Sequence, residues 1–140
     1  MNKLRFEAMP IKVKQEITNL LKPYQWLIPG WCQRVHIMYN PLGNEEGVLL
    51  TCVNRYDYRE VIITFFPLFF TNREDKDEDL LHELLHVFVS VITDYAKDCL
   101  NRLVPADEAP KFRETLFEEL RIREESFVQD LAHCLAARLT

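Results

Sequence analysis

Asp77-Glu78-Asp79-Leu80-Leu81-His82-Glu83-Leu84-Leu85-His86-Val87-Phe88-Val89-Ser90-Val91-Ile92 is the stretch on which the reading of this chain turns. From here to Leu103 there is neither Gly nor Pro, so nothing interrupts a helix over about residues 77–103. Its first turn is acidic, which suits the positive end of the helix dipole. The charged run 72–79 before it reads as a solvated helix entry, because a calcium loop would need the EF-hand spacing and its glycine. The helix is apolar nearly all round, and such helices lie at the centre of a domain. It is no membrane span: the apolar run 87–92 is flanked by His86 and Asp94.

Working outward, the segment from Val104 to Pro110 breaks this helix, and a second one runs over about 111–139. Before it stand three strand-like runs. Residues 34–39 alternate, with Val35, Ile37 and Tyr39 on one side. Residues 48–56 are β-rich and follow a turn-like Asn40-Pro41-Leu42-Gly43-Asn44. Residues 60–66 are β-branched and aromatic. Short connections between them favour antiparallel pairing. Earlier still, Ile11, Ile17, Leu20 and Leu21 can share one face of a helix over Ile11–Leu21, with Pro10 at its start and Pro23 ending it. Pro29-Gly30 reads as a turn. Trp26, Trp31 and the phenylalanines at 65, 66, 69 and 70 are expected in the core. The order helix, sheet, helix, helix is α+β, with a single domain over residues 1–140.

Composition sets outer limits. With 48% hydrophobic residues the chain can bury a core without staples. A net charge of -5 disfavours a nucleic-acid backbone as partner. Cys32, Cys52, Cys99 and Cys134 form no CxxC pair, which points to reduced thiols; a Cys32–Cys52 disulfide is the lesser alternative. The N-terminus lacks the apolar core of a signal peptide. The expectation is a cytoplasmic protein that binds neither membrane nor nucleic acid.

The chemistry sits in His82-Glu83-Leu84-Leu85-His86. Residues four apart lie one above the other on a helix, so His82 and His86 can offer imidazole nitrogens to one zinc ion. Glu83, about 100° round, can serve as a general base toward water at that metal. Two core histidines and a buried glutamate would be the alternative. An unpaired carboxylate inside an apolar helix costs several kcal/mol, roughly, and a metal ion removes that cost. A catalytic zinc takes three protein ligands and keeps a fourth position open. The third is sought in Arg123-Glu124-Glu125-Ser126-Phe127-Val128-Gln129-Asp130. Leu116, Leu120, Phe127, Leu131 and Leu135 form one helical stripe. Glu124 falls inside it and Glu125 at its edge. Glu124 is therefore the expected third ligand, with Glu125 in reserve. His133, Arg138, Tyr95 and Tyr58 are candidate oxyanion donors, none of them singled out.

His-Glu-Leu-Leu-His on an apolar helix, followed by Glu124-Glu125-Ser126-Phe127-Val128-Gln129-Asp130-Leu131-Ala132, resembles the small gluzincin-type metallopeptidases, the minigluzincins, phage-encoded members included. The resemblance covers residues 34–139 in layout and is sharp at 82–86 and 124–132. It implies a zincin-like fold: a small antiparallel or mixed three-stranded sheet packed on a buried active-site helix and a C-terminal helix. It also implies that strand 61–65 borders the cleft and pairs with an extended peptide. Larger gluzincins carry an Asp four residues after the ligand glutamate to orient a zinc histidine; Val128 and Gln129 stand there in this chain. The expected function is zinc-dependent peptide-bond hydrolysis with Glu83 as general base, acting on a peptide or protein substrate. The alternative is a catalytically inactive zinc-binding domain that acts through a partner.

Overall fold

A computed structural model describes residues 3–43, 47–71, 75–104, 107 and 110–139, with residue 139 described by backbone alone. The expected charged loop at 72–74 lies outside the described residues. The chain is α+β. Its strands are β1 (Leu4–Phe6), β2 (Arg34–Tyr39), β3 (Leu50–Arg55) and β4 (Glu60–Phe65). Its α-helices are α1 (Ile11–Leu21), α2 (Pro67–Thr71), α3 (Lys76–Leu103) and α4 (Pro110–Leu139).

The sheet has four strands in the order β1-β2-β4-β3, not three. Three residues of β1 are too few to show a period, so this strand left no signal in the sequence. It joins the edge of β2 in parallel. The sheet is mixed because β3 does not pair with β2. It passes beyond the place β4 will take, and a tight turn with Arg59 in the left-handed region (φ 55°) brings β4 back between them. β4 is therefore parallel to β2 on one side and antiparallel to β3 on the other. The continuous apolar run Val61-Ile62-Ile63 suits such a central position.

Alternation then decides what is buried. Val35, Ile37, Val61, Ile63 and Phe65 point to one face and are fully covered. That face carries the core, with Ile17 and Leu21 of α1, Phe69 of α2, and Leu80, Leu81, Leu84, Leu85 and Val87 of α3. Phe65, Phe69, Phe70 and Tyr39 meet as an aromatic cluster at one end of it. Met38 and Val53 stand on the opposite, open face and are exposed. Glu60 stands there too, covered by its own ion-pair partners rather than by apolar core. His36 hydrogen-bonds it at 2.9 Å and Arg55 lies 3.0 Å away. The His36 contact, ahead of a smaller opposing effect of burial, holds its carboxyl below the ordinary glutamate value.

Three expectations about burial need correction. Trp26 is 62% exposed and is not part of the core, since its short 3-10 segment turns Tyr24 and Leu27 inward instead. Ile11, at the first turn of α1, is also exposed. And α3 is not buried all round: Leu80, Leu81, Leu84, Leu85 and Val87 enter the core, while Phe88, Val91 and Ile92 are exposed. No described helix is long and apolar enough to cross a membrane.

Candidate metal centre

α3 lies against β3 and α4, and the site forms where the three meet. The i, i+4 spacing does what helical geometry dictates. The His82 and His86 Nε2 atoms stand 3.0 Å apart, with their rings edge to face. Both are mostly buried.

α4 brings the acidic partners. The side chains it buries completely are Val128 and Ala132, and Phe127 is exposed. The buried stripe is thus rotated by one residue from the one expected. The expectation followed the large side chains. The helices in fact meet over small ones, which lets their backbones approach closely. One turn before Val128, at three and four residues' distance, come Glu125 and Glu124, one on each side of the stripe's centre line.

The two glutamates therefore do different things. Glu125 faces both Nε2 atoms: Oε2 is 3.2 Å from that of His82 and Oε1 is 3.3 Å from that of His86. Glu124 sits behind His86. Its Oε1 accepts the Thr93 hydroxyl at 2.6 Å, and its Oε2 lies 3.5 Å from His86 Nδ1. Among the described residues, His82, His86 and Glu125 form the group whose ligand atoms lie close enough together for one metal ion. The expected trio with Glu124 is not the one that converges. Glu124 is placed to hold the His86 ring by its far nitrogen, which leaves Nε2 free to act as an acceptor. Burial pulls the His86 imidazole below its ordinary value, against the opposing effect of the glutamates. That favours the neutral form, the one that can ligate a metal.

Glu83 points to the sheet side. Its carboxylate accepts the backbone N–H of Cys52 on β3, while burial, then Glu125 and Asp79, push its pKa up to about 7. The neighbouring Cys52 thiol is raised as well, by burial first and then by the charge of Glu83. All four cysteines are free thiols.

Four residues near the site were not assigned a role from the sequence. Thr93 follows His86 by seven residues, and that spacing, two turns along one face, was the signal that would have found it. Asp79 Oδ2 and His82 Nδ1 are both buried without a hydrogen-bond partner. Tyr56 and Asp94 hydrogen-bond each other, and both feel the charge of Glu124. The candidate oxyanion donors lie out in solvent: Tyr58 and Tyr95 are exposed, and so are His133 and Arg138. His133 faces Glu78 at 3.6 Å.

The strand expected to receive a peptide, 61–65, cannot do so. It is β4, and both its edges are already hydrogen-bonded to β2 and β3. The edge strand beside α3 is β3. A hollow of about 240 Å³ opens between its entry, at Val48 to Leu50, and Asp79, His82 and Glu83. Comparison of the chain with protein-family models, with curated proteins and with solved structures returns no match.

Proposed function

We propose that His82, His86 and Glu125 hold a zinc ion and that the chain is a zinc-dependent peptidase with Glu83 as its general base. The observation that carries this reading is the spacing of the donor atoms. A tetrahedral zinc with ligands at about 2.0–2.1 Å requires donors about 3.3 Å apart. The separations here are 3.0, 3.2 and 3.3 Å. Two neutral imidazoles and one carboxylate are also the donor set of one common class of catalytic zinc sites. Zinc held there would supply a Lewis acid for a substrate carbonyl and would acidify water.

The protein's own residues account for the remaining steps. Glu83 lies beside the ligands on the next position of the helix and is anchored by Cys52 N–H, which aims its carboxylate. It takes a proton as water attacks and returns it to the leaving amine. Glu124 and Thr93 keep the His86 ring from turning. The hollow at the entry to β3 gives an extended chain a place beside Glu83.

Metal analysis of purified variants tests the assignment. Wild type is expected to bind one zinc per chain. Glu125→Gln is expected to lose it, whereas Glu124→Gln keeps it with affinity lowered about 10- to 100-fold, the usual effect of removing a residue that orients a ligand. Glu83→Gln is expected to keep the metal and to lose cleavage of a mixed peptide library, followed by mass spectrometry. A wild type without zinc sinks the reading. Metal loss in Glu124→Gln together with full retention in Glu125→Gln reverses the roles of the two glutamates.

A further inference from the structure

Past the histidines, α3 continues along the far end of β3 and borders a cavity of about 630 Å³, within the size range of ligand pockets. Trp31, Tyr56 and Tyr95 supply aromatic surface to it, and Asp94 and Asp98 supply carboxylates from successive turns of α3. The Trp31 and Tyr56 rings pack at 4.9 Å with a tilt of 52°. Tyr56 is fixed in place, its hydroxyl accepting from Asn54 Nδ2 at 3.0 Å and also bonded to Asp94. Arg59 also borders the cavity, but its Nε is held by the Trp31 carbonyl at 3.1 Å. Lys97 acts on Asp94 from one turn away. The cavity adjoins the metal centre, because Thr93, which holds Glu124, immediately precedes Asp94.

We propose that this cavity is a recognition pocket for a lysine or arginine side chain. Aromatic faces attract a cation through the ring quadrupole, and the long alkyl stem of such a side chain suits apolar walls. The two carboxylates provide charge complementarity at helical spacing, and they discriminate against an acidic side chain, which they repel. The consequence that cleavage occurs next to a basic residue rests on the peptidase reading given above. Binding of the side chain does not.

The test separates the two. In metal-free Trp26→Phe/Glu83→Gln protein, Trp31 is the single tryptophan, and its fluorescence reports on the cavity. N-acetyl-arginine amide is expected to change it saturably, and N-acetyl-glutamine amide and N-acetyl-glutamate amide are not. Asp98→Asn, an exposed change that leaves the fold intact, should weaken arginine binding about tenfold, as for loss of one charge-assisted contact. An equal response to all three compounds, or no change with Asp98→Asn, overturns the proposal. Absence of zinc or of hydrolysis in the wild type would leave this binding result standing and strike only the peptidase reading. Conversely, a wild type that holds zinc and cuts peptides with no preference for a basic neighbour overturns the pocket's role in cleavage alone.

Discussion

Asp79 and His82 are one turn apart on α3, and each has a buried polar atom with no hydrogen-bond partner. Side chains three apart on a helix are neighbours. Once Nε2 of His82 is committed to a metal, Nδ1 must carry the proton, and the Asp79 carboxylate is the acceptor within reach of a rotamer change. Burial, ahead of Asp75 and Glu78, already holds the Asp79 carboxyl above its ordinary value. An unpaired carboxyl of this kind costs stability in the metal-free protein. Asp79→Ala is therefore expected to move two measurements in opposite directions. Zinc affinity, read by competition with a chromophoric chelator, should fall about 10-fold or more. The melting temperature of the metal-free protein should stay level or rise. A fall in melting temperature with zinc affinity unchanged would mean that Asp79 only supports the fold. At this scale the sequence was informative where spacing alone sets geometry, as for His82, Glu83 and His86. It was not enough to separate Glu124 from Glu125. That distinction depends on which helix face meets α3, and Val128 and Ala132 mark that face less loudly than Phe127.

The two halves of α3 look alike in sequence and differ in what covers them. Leu81 is fully buried, whereas Ile92 is 73% exposed. Leu81→Ala is expected to cost about 2–5 kcal/mol, the range for emptying a packed core site. Ile92→Ala should cost less than about 0.5 kcal/mol. Urea denaturation of both variants compares them directly, and equal losses would show that the far half of the helix is covered in solution. The extent of α3 was legible because 28 residues carry no breaker, and α1 was legible from its paired prolines. What covers each half was not, because burial depends on what packs against the helix rather than on the helix itself. Strand order was hidden for a similar reason. A short connection favours pairing of consecutive strands, but nothing in residues 40–49 announces that β3 will leave room for β4.

For the molecule as a whole, the proposed ligands are divided between the two longest helices, and the α3–α4 link separates His86 from Glu125. An ion held by both would tie distant parts of the chain together, and it would bind the folded state far better than the unfolded one. Zinc at a thousandfold excess over its dissociation constant should add about 4 kcal/mol to stability. For a domain of this size that raises the melting temperature on the order of 10 °C. Differential scanning calorimetry with zinc and with a chelator measures the shift. Glu125→Gln should abolish it. A wild type that melts at the same temperature in both would contradict a site shared by the two helices.

The hydrogen bond from Cys52 to Glu83 has a second effect. β3 is an edge strand, and an edge strand with free N–H and C=O groups is a template on which other copies of a chain can stack. At Cys52 the Glu83 carboxylate occupies that edge. One contact therefore both orients the Glu83 carboxylate and covers a backbone N–H of the sheet edge. A glutamine at position 83 still offers an oxygen to Cys52 and keeps the edge closed. An alanine would open it, and the price of silencing the site that way would be a protein prone to aggregate.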